Sequence, residues 1–171
     1  SECSINTAKL SENEGLHFFR HDMRLLIQNL KFDLVLNLFT SFGYFDQLSD
    51  NQKVVDAIST CLSENGKLVI DFLNVRWVIE NLVKSERKTV QGIEFNISKT
   101  CKDGFITKDI HFNDQGESYH YQEKVRALDL EDFRGFLEHA GFTIEHIFGN
   151  YQLADFKENS ERLIIIAKKN K

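Results

Sequence analysis

The chain has 171 residues, of which 42% are apolar and 27% charged, and its net charge at neutral pH is −5. This composition is typical of one soluble globular domain, long enough to bury a core. The negative charge argues against a nucleic-acid partner or an anionic membrane surface, because both need clustered Lys and Arg. No apolar run approaches the ~20 residues of a membrane helix, and no signal peptide opens the chain.

The cysteines and histidines indicate no metal site. Cys3, Cys61 and Cys101 match neither a disulfide set nor a zinc-ligand spacing, and the six histidines never take the H-E-x-x-H spacing. We therefore expect no metal and a cytoplasmic location. The first residue is Ser1 rather than Met, which predicts that the natural protein extends upstream.

The first part of the chain alternates apolar strand patterns with amphipathic helix patterns. Residues 5–9 have the pattern of a helix end, and residues 16–20 that of a short strand. The apolar runs 32–38 and 67–72 predict adjacent parallel strands buried on both faces.

A helix is predicted between those two strands. We expect Ser49 to cap it and Asn65-Gly66 to end it. A second helix is predicted over 75–83.

The pattern then changes to alternation, which indicates antiparallel strands. Residues 89–99 and 105–112, and the alternating Tyr119, Tyr121 and Val125, predict a three-stranded meander with turns between the strands. We assign this meander to residues 86–126, inserted in a single domain that covers 1–171.

The C-terminal part returns to the mixed pattern. Asp129 is a predicted helix cap, and Gly141 ends that helix. Two strands, 142–148 and 163–167, close the chain. The fold class is therefore α/β, with a mostly parallel sheet and an inserted antiparallel meander.

Glycine spacing excludes the common phosphate and cofactor loops. No two of the nine glycines are spaced i, i+2, so no G-x-G or Walker loop is present. No serine lies in a G-x-S-x-G motif, which leaves a serine hydrolase unsupported.

Polar residues at predicted strand ends are the candidate ligand contacts. Asp22 either accepts a hydrogen bond from a ligand or caps the segment that starts at Met23. Asn37 either orients a ligand or holds the next turn, and Asp71 and Asn74 either face the same crevice or cap a turn.

The loop after residues 32–38 is rich in aromatic side chains. Phe39, Phe42, Tyr44 and Phe45 form either a pocket wall or core, and their number in so short a loop favours a pocket.

Taken together, these segments resemble class I S-adenosylmethionine-dependent methyltransferases of the small-molecule type. Asp22-Met23 resembles the adenine-contact position, and residues 37–45 resemble the loop beside the methyl group. Residues 62–72 resemble the turn and fifth strand, without the usual proline. Ala140-Gly141-Phe142 and Ser160-Glu161-Arg162 resemble the segments around the C-terminal hairpin.

The resemblance implies roles for individual residues. S-adenosyl-L-methionine is the implied cofactor, in contact with Asp22, Met23, Asn37, Leu38 and Phe39. The implied acceptor is a small molecule in contact with Phe42, Tyr44, Phe45 and Asn74, with the meander as a lid. No residue is assigned a catalytic role.

The departure from the family is large, because the glycine-loop strand and the strand with the ribose-binding acid have no counterpart here. Those strands lie centrally in the family's sheet, so their absence predicts a gap. Either an upstream segment belongs to the working protein, or the chain closes the gap by re-pairing or as a homodimer. Two functions remain open: methyl transfer by the intact protein, or a truncated, non-catalytic module for binding or oligomerisation.

Overall fold

The computed structural model describes residues 2–170 and contains two separate four-stranded sheets. The two ends of the domain predicted over 1–171 lie outside this range. The elements follow in chain order: α1 (Glu2–Lys9), β1 (Phe32–Asn37), α2 (Leu48–Cys61), β2 (Leu62–Leu73), α3 (Val75–Glu80), β3 (Ser85–Val90), β4 (Ile93–Lys102), β5 (Phe105–Asp114), β6 (Glu117–Arg126), α4 (Leu130–His139), β7 (Phe142–Phe148) and β8 (Arg162–Lys169).

The first sheet has the strand order β1-β2-β8-β7. β1 and β2 are parallel, as predicted, and β7 and β8 form the expected antiparallel hairpin. The apolar faces of α2 and α4 cover one side of this sheet. The core lies between them and includes Phe42, Phe72, Phe133 and Leu137, each at most 1% exposed.

Two-sided burial of β1 was a wrong prediction. Leu34 is 50% exposed and Leu36 is 54% exposed. Within residues 2–170, β1 pairs only with β2, so its other edge and one of its faces meet no layer. The apolar run was correctly recognised as a strand, but no helix or strand among residues 2–170 covers the face that carries Leu34 and Leu36.

The predicted strand over residues 16–20 does not form. Only an isolated bridge between Asn13 and Leu16 occurs there. An extended segment needs a paired neighbour to satisfy its backbone groups, and no described strand lies beside this one.

The boundaries of α2 also differ from the prediction. The helix starts at Leu48, with Gln47 as an N-cap that makes no side-chain bond, so Ser49 is not the cap. It ends at Cys61, where β2 follows directly. Asn65 has a φ of 61° and Gly66 approaches the Phe32 carbonyl, so these two residues form an irregularity inside β2 rather than a helix end.

The second sheet is a four-stranded meander, β3-β4-β5-β6, rather than the predicted three strands. The missed feature is a turn at Gln91-Gly92, with φ values of 51° and 84°, which divides the predicted strand 89–99 between β3 and β4. The expected turns at Asp103-Gly104 and Gln115-Gly116 are present. Alternation along β4 is also confirmed, with every second residue half-buried.

Helix α4 forms as predicted. Asp129 accepts hydrogen bonds from the Glu131 and Asp132 backbone N–H groups, and the Asp132 side chain completes a capping box. Gly141, with a φ of 78°, follows its end. In the part of the chain from 2 to 170, no helix is long and apolar enough to cross a membrane.

Candidate functional site

The aromatic loop, residues 38–45, leaves β1 at its carboxyl end in a strained conformation. Phe39 and Thr40 have φ values of 57° and 59°, in the left-handed region that costs a non-glycine residue ~1–2 kcal/mol. Such backbone persists only where its surroundings impose it, and it is common at ligand sites.

Asp71, at the end of β2, imposes this conformation. Its carboxylate Oδ2 accepts a hydrogen bond from the Phe39 N–H at 2.9 Å, and its backbone carbonyl accepts one from the Thr40 N–H at 2.9 Å. The aromatic loop is therefore fixed to the neighbouring strand by its second and third residues, Phe39 and Thr40.

Arg162, the first residue of β8, completes what we call the Asp71–Arg162 clamp. Its Nε and Nη2 atoms donate to Asp71 Oδ1 at 2.9 and 2.5 Å, and Nη2 also donates to Thr40 Oγ1 at 3.2 Å. Asp71 is 2% exposed. A buried carboxylate needs full hydrogen bonding to offset its desolvation, and these contacts provide it.

Tyr151 adds a further donor to the clamp. Its hydroxyl donates to Asp71 Oδ2 at 3.0 Å. Desolvation of the hydroxyl and its bond to the Asp71 carboxylate raise the pKa of Tyr151, so the phenol stays protonated at neutral pH and continues to donate.

The second sheet is attached to the aromatic loop through Gly43. The Gly43 carbonyl accepts a hydrogen bond from the Arg126 N–H at 2.7 Å, and Gly43 has a φ of 83°. A Cβ atom there would lie 3.2 Å from Val125 Cγ1 and 3.3 Å from Phe72 Cζ. The end of β6 thus packs directly on the loop, which places the meander at the carboxyl ends of β1 and β2, as expected.

A cavity of about 560 Å³ lies between the aromatic loop, α3 and the meander. The loop contributes Phe39 and Tyr44, which are 76% and 54% exposed. We call this space the loop–meander cavity. The loop also contributes Thr40, and the remaining lining residues come from α3 and the segment after it, the meander and two strand ends: Leu73, Trp77, Val78, Asn81, Leu82, Val83, Lys99, Ile106, Lys108, Glu123, Val125 and Arg162.

The loop–meander cavity combines aromatic surface with charge. Lys108 Nζ lies 3.2 Å from Glu123 Oε2. Desolvation, and then the Glu123 charge, raise the pKa of Tyr44, which keeps its hydroxyl protonated as a hydrogen-bond donor. The arrangement can hold a small polar molecule against aromatic rings.

Three predicted acceptor contacts lie elsewhere in the structure. Phe42 is in the core against α4, 1% exposed. Phe45 lies beneath the Arg24 guanidinium, and its ring centroid is 4.8 Å from Arg24 Cζ. Asn74 caps α3 and donates from Nδ2 to two backbone carbonyls in the 158–160 turn, at 2.9 and 2.7 Å. Of the four residues, the structure therefore places only Tyr44 in the loop–meander cavity.

Asp22 and Met23 line a second cavity, together with Phe45. Asp22 accepts hydrogen bonds from the backbone and guanidinium of Arg24. These bonds lower the pKa of Asp22 to about 2, so the carboxylate is ionised. The segment after Asp22 is a turn and not a helix. Of the two alternatives for Asp22, a ligand contact or a cap on the following segment, the structure shows the bond to the following backbone.

Asn37 ends β1 with an unpaired polar atom. The residue is 6% exposed, and its Oδ1 has no hydrogen-bond partner among the described residues. A buried acceptor without a partner costs ~1–3 kcal/mol. The position therefore suits a donor from a ligand or from another segment. Leu38 follows it and accepts from Ser41 through its carbonyl.

An apolar groove of about 330 Å³ runs along the free edge of β1. Leu34, Leu36 and Asn37 line it from the strand, and Met23 lines it from the preceding segment. Its lining contains no carboxylate, Lys or Arg. The groove therefore matches an apolar chain segment better than a charged small molecule.

Sequence reasoning missed several members of the site. Trp77 is the chain's one tryptophan and lines the loop–meander cavity, but its position in a helix pattern gave no signal. Lys108 and Glu123 come together through strand pairing. Arg162 was recognised only within a family-like segment, without its bond to Asp71.

No protein-family model matches the sequence, and no curated protein matches it either. Solved structures do match. An S-adenosylmethionine-dependent methyltransferase from Clostridium acetobutylicum ATCC 824 superposes with a TM-score of 0.81 at 20% identity, over 99% of this chain and 70% of that one. The CcbJ methyltransferase from Streptomyces caelestis gives a TM-score of 0.75 at 9% identity, over 88% and 62%.

A third similar structure is CalS10 with bound S-adenosylmethionine, an amino pentose methyltransferase from Micromonospora echinaspora. Its TM-score is 0.65 at 17% identity, over 88% of this chain and 63% of that one. This chain thus spans less than two thirds of the length of CcbJ and CalS10. The three likenesses show that it has the class I methyltransferase fold.

Proposed function

We propose that the protein takes part in S-adenosylmethionine-dependent methyl transfer to a small-molecule acceptor. The observation that carries the proposal is the Asp71–Arg162 clamp, which holds a strained aromatic loop at the carboxyl ends of two parallel strands. Ligands of open α/β sheets bind at these ends. The adjoining loop–meander cavity, about 560 Å³, falls in the ordinary size range of small-molecule sites.

The cofactor side of the proposed site is formed by Asp22, Met23, Asn37, Leu38 and Phe39. S-adenosylmethionine supplies a methyl group on a sulfonium, which is already a good leaving group. The task of the protein is therefore to align the acceptor, which is proximity and orientation work. The strained but hydrogen-bonded backbone of Phe39 is suited to fix one side of that alignment.

The acceptor side of the proposed site is the loop–meander cavity. Tyr44 and Trp77 offer aromatic surface, and the Lys108–Glu123 pair offers both signs of charge. Phe42 and Asn74 support the cavity without lining it. Phe42 anchors the aromatic loop in the core, and Asn74 caps α3. The meander serves as the lid.

The described residues fit only part of the cofactor. Asp22 and Met23 suit the adenine, and the orphaned Oδ1 of Asn37 suits a donor such as an ammonium group. The 171 residues contain no G-x-G loop, and no carboxylate, Lys or Arg lines the groove beside β1 for a ribose diol or a methionine carboxylate. Two or three absent charge-assisted bonds at ~1.5–3 kcal/mol each weaken binding by about a hundredfold or more.

An NMR titration of this chain with S-adenosylhomocysteine tests the proposal even when binding is weak. We expect amide shifts at residues 21–23 and 37–39. Adenosine, which lacks the methionine part, should shift residues 21–23 and leave 37–39 unchanged. Asp22→Asn should reduce the shifts, whereas Asp33→Asn, on the exposed part of β1, should not.

Two outcomes would change the proposal. Shifts confined to the meander or to the β7–β8 hairpin would contradict the assignment of the cofactor side. Low-micromolar affinity in a calorimetric titration would show that residues assigned elsewhere, or a partner chain, complete the pocket.

The second candidate is a non-catalytic module that self-associates through β1. The free edge of β1 and its half-exposed Leu34 and Leu36 favour it, because exposed apolar edges pair readily with other chains. Light scattering should then give a dimer that Leu36→Glu converts to monomer, while Leu153→Glu, an exposed leucine in a loop, leaves it dimeric. A monomer at all concentrations would exclude this candidate.

A further inference from the structure

The β5–β6 hairpin brings three metal-ligating side chains together outside the site described above. Asp109 and His111 are two residues apart on β5, so they lie on one face of the sheet. His120 on β6 is the direct cross-strand partner of His111. One ligand atom from each of the three lies within 4.8 Å of the others.

This face is the opposite of the one that meets the loop–meander cavity. Ile106 and Lys108 line the cavity from β5, and Glu123 and Val125 line it from β6. The cluster occupies the alternate positions. His111 and His120 are exposed and Asp109 is half-buried, so an ion can reach all three from solvent.

The ligand atoms of the cluster lie near one another, at up to 4.8 Å. His120 Nε2 lies 2.9 Å from Asp109 Oδ1, and the two imidazole rings stack in parallel with centroids 4.1 Å apart. A tetrahedral ion with bonds of ~2.0–2.1 Å holds its ligand atoms about 3.4 Å apart. Small rotations of exposed side chains therefore suffice to form the site, without movement of the backbone.

Two further contacts fix this arrangement. The Gln122 Nε2 atom donates to Asp109 Oδ1 at 2.9 Å, and such outer partners orient ligating carboxylates. The tight turn at Gln115-Gly116 sets the register between β5 and β6. His111 and His120 therefore cannot shift relative to each other unless the hydrogen bonds between these two strands break.

We infer that Asp109, His111 and His120 form a binding site for a divalent transition metal, with Zn²⁺ as the best match. Two imidazoles and one carboxylate suit zinc, copper, nickel and cobalt, whereas magnesium and calcium require mostly oxygen ligands. Three protein ligands leave a coordination position for water. The site ties β5 to β6 and stabilises the meander.

This inference replaces the sequence expectation of no metal. That expectation rested on linear spacing, whereas here the ligands meet across a hairpin. His111 and His120 are paired by strand register, not by a helix turn, so no H-E-x-x-H motif is needed.

The test is a calorimetric titration of the full chain with ZnCl₂, together with Co²⁺ absorption spectra. We expect one ion per chain. His111→Ala and His120→Ala should each weaken zinc binding by about tenfold or more, because even the loss of a residue that only orients a metal ligand costs about that much. Asp109→Asn should also weaken zinc binding. His17→Ala, which removes a histidine that is not part of the cluster, is the matched control and should bind as the parent does.

Thermal unfolding provides a second readout that does not depend on calorimetry. Zinc should raise the Tm of the parent and of His17→Ala, because an ion bound to the native state stabilises it by mass action. His111→Ala should keep its metal-free Tm and lose the shift. Undiminished zinc binding by His111→Ala, or one ion per two chains, would overturn the assignment.

Discussion

The two sheets differ in how much they share in the core. Nearly all the buried apolar side chains among the described residues belong to the sheet β1-β2-β8-β7 and the helices and loops packed on it, whereas the meander β3–β6 contributes only Val125, which is 7% exposed. The first sheet is stabilised by burial against α2 and α4. The meander is stabilised by its own ladder and by its attachment to the aromatic loop at Gly43. The well-packed first sheet thus positions the loop, and the meander, which has little core of its own, packs on that loop at Gly43.

Hydrogen exchange should show the largest difference between the two sheets. β3 is an edge strand with every residue exposed, and β2 lies centrally with Leu68, Ile70 and Phe72 buried. Amides of β2 and β8 should exchange at least about a thousandfold more slowly than those of β3, which corresponds to about 4 kcal/mol of opening free energy. Equal protection in both sheets would break the comparison.

Removal of the clamp carboxylate should destabilise the first sheet strongly. Asp71→Ala leaves the Phe39 N–H without its partner and Arg162 without its carboxylate, with only the Thr40 hydroxyl still accepting from the guanidinium. Breaking a buried ion pair costs ~3–5 kcal/mol. Urea unfolding gives the free energy. If the alanine variant does not fold, the same measurement is made on Asp71→Asn, which keeps an acceptor oxygen but loses the charge.

The control for the clamp is an ion pair at the surface. Lys67 Nζ lies 2.7 Å from Glu145 Oε2, and the two side chains are 49% and 28% exposed. Glu145→Ala should cost at most ~1 kcal/mol. If the two alanine variants lose equal stability, the clamp is not the main anchor of the aromatic loop.

Replacement of Gly43 tests the junction between the sheets. Both Gly43 and Gly104 have positive φ, at 83° and 76°, but a Cβ at Gly104 meets nothing within 4 Å. Gly104→Ala should therefore cost only the strain, about 1–2 kcal/mol. Gly43→Ala should cost about 1 kcal/mol more, because the new methyl crowds Val125 and Phe72. Identical losses in unfolding experiments would show that β6 and the loop are not closely packed.

Local signals in the sequence were sufficient for the elements that depend on them. Helix α4 was predicted with its cap at Asp129 and its end at Gly141, because capping is decided within one turn of chain. The strand 16–20 failed because a strand needs a partner. The turn between β3 and β4 was missed because Gln91 is not a residue that favours positive φ.

The candidate site was predictable only in part, for a similar reason. The aromatic loop follows one apolar strand and Asp71 lies near the end of the next, and both were found from that position alone. The bonds from Arg162 to Asp71 join residues 91 positions apart, and the Lys108–Glu123 pair forms through strand register. Pairings of this kind depend on tertiary contacts that a single sequence does not specify.

The smallest expected effect concerns the contact between Asp22 and Arg24, whose guanidinium also pairs with Asp50 on α2. Arg24 bonds lower the pKa of Asp22 from 3.8 to about 2. Because the pKa is lower in the folded chain, the stabilisation is complete above pH 3.8 and is lost as the pH falls toward 2. Asp22→Asn should flatten the pH dependence of the unfolding free energy in this range, and Glu138→Gln, an exposed change on α4, should not. Since Asp22 is at the surface, the difference is expected to shrink in high salt. A pH profile for Asp22→Asn that matches the parent's would show that the Arg24 contacts do not persist in solution and that the adenine side of the proposed site is not held in place.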